Sequence, residues 1–155
     1  MSGRVTPISI VERPVAVTAE LAVETRGEGF TEITSEAARF LRDAKAGDGA
    51  LLLFLRHTSA SLVIQENADP DVQRDLVTAL RRLAPQDAGW VHDTEGPDDM
   101  PAHVKAMLSG ISLQVPVAGG KMLLGTWQGI YLVEHRAIPH ARKIVLQFLG
   151  GTLPA

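Results

Sequence analysis

The apolar run Leu51 to Leu55 lies between Gly47-Asp48-Gly49 and a polar stretch that begins at His57. A run this short, bounded by turn-forming residues, reads as a buried strand. His57-Thr58-Ser59-Ala60-Ser61 follows at its end, and Gln65-Glu66-Asn67-Ala68-Asp69-Pro70 comes soon after. Polar groups at the exit of a buried strand are where a rigid scaffold usually presents chemistry.

Strand signals dominate elsewhere. Val15 to Thr25 alternates, with Val15, Val17, Ala19, Leu21 and Val23 able to share a face, which predicts a half-buried strand. Ile111 to Val117 and Lys121 to Gly125 flank Ala118-Gly119-Gly120 and read as a hairpin. Gly129 to Glu134 and Lys143 to Leu149 are two further strands. Helical spacing of Ile33, Ala37, Phe40, Leu41 and Ala44 predicts a helix capped by Thr31 or Thr34 and ended by Gly47-Asp48-Gly49. Asp69 and Pro70 start a second helix, with Val72, Leu76, Leu80 and Leu83 on its apolar stripe and Pro85 as its stop. Pro101 to Leu108 is a short third helix, capped by Asp98 or Asp99. Gln86 to Met100 is a long loop, a length that usually marks function or mobility. The expected fold is α+β: one domain over residues 1–155, a largely antiparallel, sandwich-like sheet, two longer helices and one short one. Residues 1–13 are expected to form a loose or edge segment.

The 155 residues suit one domain with a core of its own. A net charge of −3 with no Lys/Arg run argues against a nucleic-acid partner. The absence of cysteine removes disulfides, thiol catalysis and thiolate metal sites. No apolar run approaches the ~20 residues of a membrane span, and the N-terminus lacks a signal-peptide pattern. A cytoplasmic location is the expectation.

Three polar clusters stand between apolar strands and are expected to form one composite site. The second holds His92, Asp93, Glu95, Asp98, Asp99 and His103; the third is Gly125-Thr126-Trp127-Gln128-Gly129 with Glu134-His135-Arg136. Histidines far apart in sequence can converge on a metal, and catalytic sites often use three protein ligands. His92, His103 and His135 are the candidate metal set. Asp98 and Asp99 can cap a helix, and one of them can orient a histidine ligand or hold a hard cation. His57 and Glu66 are the acid/base candidates, with Asn67 beside them. Ser59, Ser61, Thr126, Gln128, Glu134 and Arg136 make up the candidate substrate-binding set, Arg136 being the first choice for a phosphate.

Taken in order, His57-Thr58-Ser59-Ala60-Ser61, Glu66 to Pro70, Glu95-Gly96-Pro97-Asp98-Asp99-Met100-Pro101-Ala102-His103, Leu124 to Tyr131 and Glu134-His135-Arg136 resemble the YjbQ-like family. The resemblance spans roughly Phe30 to Gly150. It implies a mostly antiparallel α+β fold, a homotrimer and a histidine-lined site holding a divalent metal, zinc or magnesium. It also implies secondary thiamine-phosphate synthase activity. That reaction joins hydroxymethylpyrimidine diphosphate to thiazole phosphate and releases diphosphate. Asn67, Thr126 and Gln128 are then candidates for the pyrimidine edge, and Arg136 and the acidic loop for the diphosphate. The sequence has no Gly-rich phosphate cradle. Two other readings therefore stay open: a small-molecule-binding trimer without turnover, and a metal-assisted phosphate or ester hydrolase.

Overall fold

In the computed structural model, which describes Ile8 and residues 10–154, two antiparallel sheets face each other across one core. The elements run β1 (Val15–Glu24), β2 (Gly29–Glu32), α1 (Thr34–Asp43), β3 (Ala46–Leu55), β4 (Ala60–Glu66) and α2 (Pro70–Leu83). They continue with α3 (Asp99–Ser109), β5 (Ser112–Ala118), β6 (Lys121–Met122), β7 (Gln128–Glu134) and β8 (Ala141–Thr152). The five-stranded sheet has the order β1-β8-β3-β5-β6 and the three-stranded sheet the order β2-β7-β4.

Strand alternation builds the core. Leu51, Leu53 and Leu55 of β3, Ile144, Leu146 and Phe148 of β8, and Val115 and Val117 of β5 meet Ala60 and Leu62 of β4 and Ile130 and Leu132 of β7. Ile33, Ala37 and Leu41 close one end from α1. The other face of β7 is buried as well: Tyr131, Val133 and His135 lie inside, and α3 lies over neighbouring β4. Phe30 of β2 meets Tyr131 edge-on, with ring centroids 5.9 Å apart.

Several local expectations are revised. Gly47-Asp48-Gly49 does not end α1; it opens β3, through a register shift between Ala46 and Gly49 against β8. A Cβ on Gly49 would lie 2.3 Å from the Leu149 carbonyl oxygen, so glycine serves close strand approach there. Neither threonine caps α1. Ile33 holds the cap position, and the Thr34 hydroxyl donates to Glu32 and accepts from the Ile130 amide. Asp69 does cap α2, accepting from the Asp71 amide at 2.9 Å ahead of Pro70. Its expected stripe is shallow, since Val72, Leu76 and Leu80 are half-buried and Leu83 is 66% exposed. Gly29 to Glu32, which includes Thr31, is a short strand paired with β7. The expectation for residues 1–13 falls partly outside the described residues, and residues 10–14 carry no strand.

Candidate functional site

Antiparallel pairing brings the polar ends of four strands to one pole. β3 leaves the sheet at Leu55 and β8 enters beside it, while Ala60 at the start of β4 pairs with Glu134 at the end of β7. His57, Ser59, Glu134, His135, Arg136 and Arg142 all lie at or next to these ends.

Glu134 and Arg142 point into the gap between the sheets and close the core. Glu134 is 1% exposed. Its Oε2 accepts from Arg142 Nε at 2.7 Å and from the Thr25 hydroxyl at 2.9 Å; its Oε1 accepts from Arg142 Nη2 and the Arg136 amide. Burial pushes the Glu134 carboxyl up, but the Arg142 guanidinium, the Arg136 amide and the Thr25 hydroxyl outweigh it and hold the group below its ordinary range. Arg142 also donates to the Ser59 hydroxyl at 3.0 Å. His57 accepts from the Lys143 amide at Nε2, 2.9 Å away, so that lone pair is occupied. Burial and then the Arg142 charge push its pKa down.

His135 projects to the opposite face, under α3. It is 1% exposed, and its Nε2 lies 2.7 Å from the Ser61 hydroxyl. Burial first, then the charge of Lys105, pushes its pKa down to about 4. Lys105 is itself buried on α3 and reaches Glu28 at 3.0 Å.

The third group sits at the rim. Asp99 opens α3 and His103 follows one helical turn later, so both carry their side chains on one face. His92 arrives from the preceding loop. Asp99 Oδ2 lies 2.8 Å from His92 Nε2 and 3.3 Å from His103 Nε2. Asp99 Oδ1 accepts from Arg136 Nη1 at 2.5 Å. Arg136 also reaches Asp98 at 3.1 Å and the Glu95 carbonyl at 2.8 Å, and Asp98 accepts from the Ala137 amide. His103 Nδ1 lies 3.0 Å from the Thr58 carbonyl oxygen. A carbonyl only accepts, so Nδ1 carries a hydrogen and the ring presents Nε2 to Asp99. A bound cation, or a second proton on the ring, would satisfy a ring nitrogen placed against a carboxylate oxygen. The three ligand atoms lie within 4.8 Å of one another; the 3.3 Å separation is close to the tetrahedral edge set by metal–ligand bonds of about 2.1 Å, while the 2.8 Å between His92 and Asp99 is a hydrogen-bond distance that would open to admit an ion. Two imidazoles and a carboxylate therefore fit a divalent transition ion.

The expected composite site is divided. His92 and His103 come together, but the third member of the group is Asp99, which had been assigned to an outer role. His135 is turned away from it, bonded to Ser61. Arg136 is not available to a phosphate, because Asp98, Asp99 and the Glu95 carbonyl occupy its guanidinium. Asp98 sits at the α3 cap position but its side chain makes no cap bond. The chain bends at Thr58 and Ser59, so His57, Ser59 and Ser61 do not share a face. Glu66, Asn67, Thr126 and Gln128 lie at the other end of the smaller sheet, because Glu66 pairs with Gln128. The seven residues of β4 separate them from Ser59 by about 20 Å. There Asn67 Nδ2 approaches the Gln128 carbonyl at 3.5 Å, and the Gln128 side chain accepts from the Gly125 amide. The Asp99-x-x-x-His103 spacing was the available signal for the rim group; a search for paired histidines passes over it. The Thr58 carbonyl gives no sequence signal at all.

The sequence pattern described as UPF0047 protein YjbQ-like matches residues 19–151. The chain belongs to this family. A UPF0047 protein of Synechocystis is 42% identical over 131 residues, covering 84% of this chain and 89% of the relative. The YjbQ protein of Salmonella typhimurium is also 42% identical over 131 residues, with 84% and 95% covered. A YjbQ-like protein of unknown function from Sulfolobus solfataricus superposes with a TM-score of 0.83 at 25% identity, covering 90% of this chain and all of the other. A YjbQ/UPF0047 protein of Clostridium acetobutylicum superposes at 0.78 with 37% identity, covering 84% and 98%. These YjbQ-like structures bear out the α+β fold. Among the described residues no helix is long and apolar enough to cross a membrane.

Proposed function

We propose that the chain is a metal-dependent enzyme acting on a phosphorylated small molecule, with His92, Asp99 and His103 as the ligand set. The reaction that the family resemblance implies is the thiamine-phosphate synthase type of transfer. The observation that carries the reading is the double restraint on the ligands: Arg136 fixes one oxygen of Asp99, and the Thr58 carbonyl fixes the tautomer of His103. A divalent ion bound there supplies Lewis-acid polarisation of a phosphate oxygen. Asp99 contributes the fixed negative charge, His103 a pre-aimed lone pair, and His92, its side chain 43% exposed, the ligand nearest solvent. Asp98 lines an adjoining cleft of about 550 Å³ with Arg26, Arg81 and Lys105. Glu28 neutralises Arg81 and Lys105, whereas Arg26 makes no ion pair among the described residues and takes the phosphate role first assigned to Arg136.

The test is metal content and turnover on tag-free protein. Zinc or magnesium should bind one per chain, and His92→Ala with His103→Ala should abolish that binding while His135→Ala retains it. Diphosphate release should require both the pyrimidine diphosphate and the thiazole phosphate. Release without the thiazole partner would make the protein a hydrolase. Stoichiometric metal without any turnover would make it a binding protein, and full metal retention in the double variant would remove the site.

We also infer self-association, in line with the trimer that the resemblance implies. Phe54 and Leu149, on the outer face of β3 and β8, are 49% and 41% exposed. Phe54→Glu should shift the sedimentation mass toward the monomer; a wild-type chain already monomeric refutes this.

A further inference from the structure

At the pole opposite the rim group, α1, the β5–β6 hairpin and the chain after β8 line a half-open cavity of about 740 Å³. This is within the range of about 300–1,000 Å³ typical of small-molecule sites. Ala38, Leu41 and Met122 form its floor and Leu153 one side, while Arg42, Lys45 and Lys121 stand among its lining. Among the described residues no Asp or Glu lines it, and none of these three cations makes an ion pair. The walls are tied together: the Gly120 amide donates to the Gly47 carbonyl at 3.0 Å, and the Leu153 amide to the Lys45 carbonyl at 2.8 Å. Lys45 has φ +50°, the left-handed conformation that glycine usually supplies after a helix. A side chain there costs about 1–2 kcal/mol. That turn ends α1 and places Lys45 on the cavity wall.

We propose that this cavity is a second ligand site, for an amphiphilic anion whose apolar body lies on Leu41 and Met122 and whose carboxylate or phosphate meets Lys45, Lys121 and Arg42. An apolar floor with a rim of one charge sign selects that class: a purely apolar ligand leaves the cations unused, and a small polar anion leaves the floor wet. The cavity reaches to Gln128, which the seven residues of β4 and β7 hold about 20 Å from the ends that meet the rim group, so the two sites share no small ligand and the inference does not rest on the metal reading.

The probe is sodium decanoate below its micelle concentration, titrated by calorimetry into full-length wild-type protein, with decanol and acetate as controls. One decanoate should bind per chain, and acetate should not bind. Lys45→Gln with Lys121→Gln should weaken decanoate about ten-fold, the size of one charge-assisted contact, and leave decanol within about two-fold. Ala38→Trp should abolish both while circular dichroism and the melting transition stay at wild-type values. Decyl phosphate binding more tightly than decanoate would assign the head group as phosphate; the reverse would assign a carboxylate. Absence of decanoate binding, or equal loss of decanoate and decanol in the double variant, overturns the proposal. Dissociation of an oligomer by Ala38→Trp overturns it too, since a second copy would then occupy the cavity.

Discussion

His135 ties stability to pH in a window that few other groups reach. Its folded pKa, about 4, lies below the ordinary value of 6.5, because it is buried and faces the charge of Lys105. Between those values the unfolded chain binds a proton that the folded chain refuses, so acidification favours unfolding. The contribution is fully present above 6.5 and is lost as pH falls toward 4. From the two values, the loss between pH 7 and pH 5 is about 2 kcal/mol. The assay is urea unfolding of wild-type protein and His135→Gln at a series of pH values. His57 is shifted in the same direction, so the quantity to read is the difference between the two proteins, in which its share cancels. Wild type should lose about 2 kcal/mol more than the variant from pH 7 to pH 5. Parallel curves through that window would show that His135 takes up its proton while folded and refute the reasoning.

Arg142→Met strands the Glu134 carboxylate between the sheets and should cost about 3–5 kcal/mol in urea unfolding; adding Glu134→Leu should recover a large part of it. Asp69→Ala removes the α2 cap and should cost about 1 kcal/mol, read from the same unfolding curves.

Residues whose surroundings are local were readable in the sequence. Asp69-Pro70 announced α2 because cap and first-turn chemistry depend on adjacent residues. Leu51 to Leu55 was legible as a buried strand because a short apolar run between turn-forming and polar residues has few other uses. Gly47 and Gly49 misled for the opposite reason: glycine marks a turn and a close strand approach equally well, and only the partner β8 distinguishes them. Gly29 to Glu32 was hidden because so short a strand draws its stability from β7 across the sheet. At the site, His92 and His103 were legible by residue type and surroundings. The separation of Glu66 from His57 was not, since it depends on which ends of β4 and β7 pair. Arg136 looked like an anion contact because a cation after a histidine is unpaired in sequence; its partners come from a loop about forty residues away.

β7 is buried on both faces and hydrogen-bonded on both edges. Its amides should be the last to exchange with deuterated solvent, released only by global unfolding. Arg136, two residues beyond that strand, holds Asp99, so this half of the proposed ligand set is anchored to the most protected strand. His92 stands on a loop outside the sheets, beside Val91, which is 98% exposed. Capture and release of an ion would then follow the swing of one imidazole against two fixed ligands, so its residence time could be tuned through the loop without touching the scaffold.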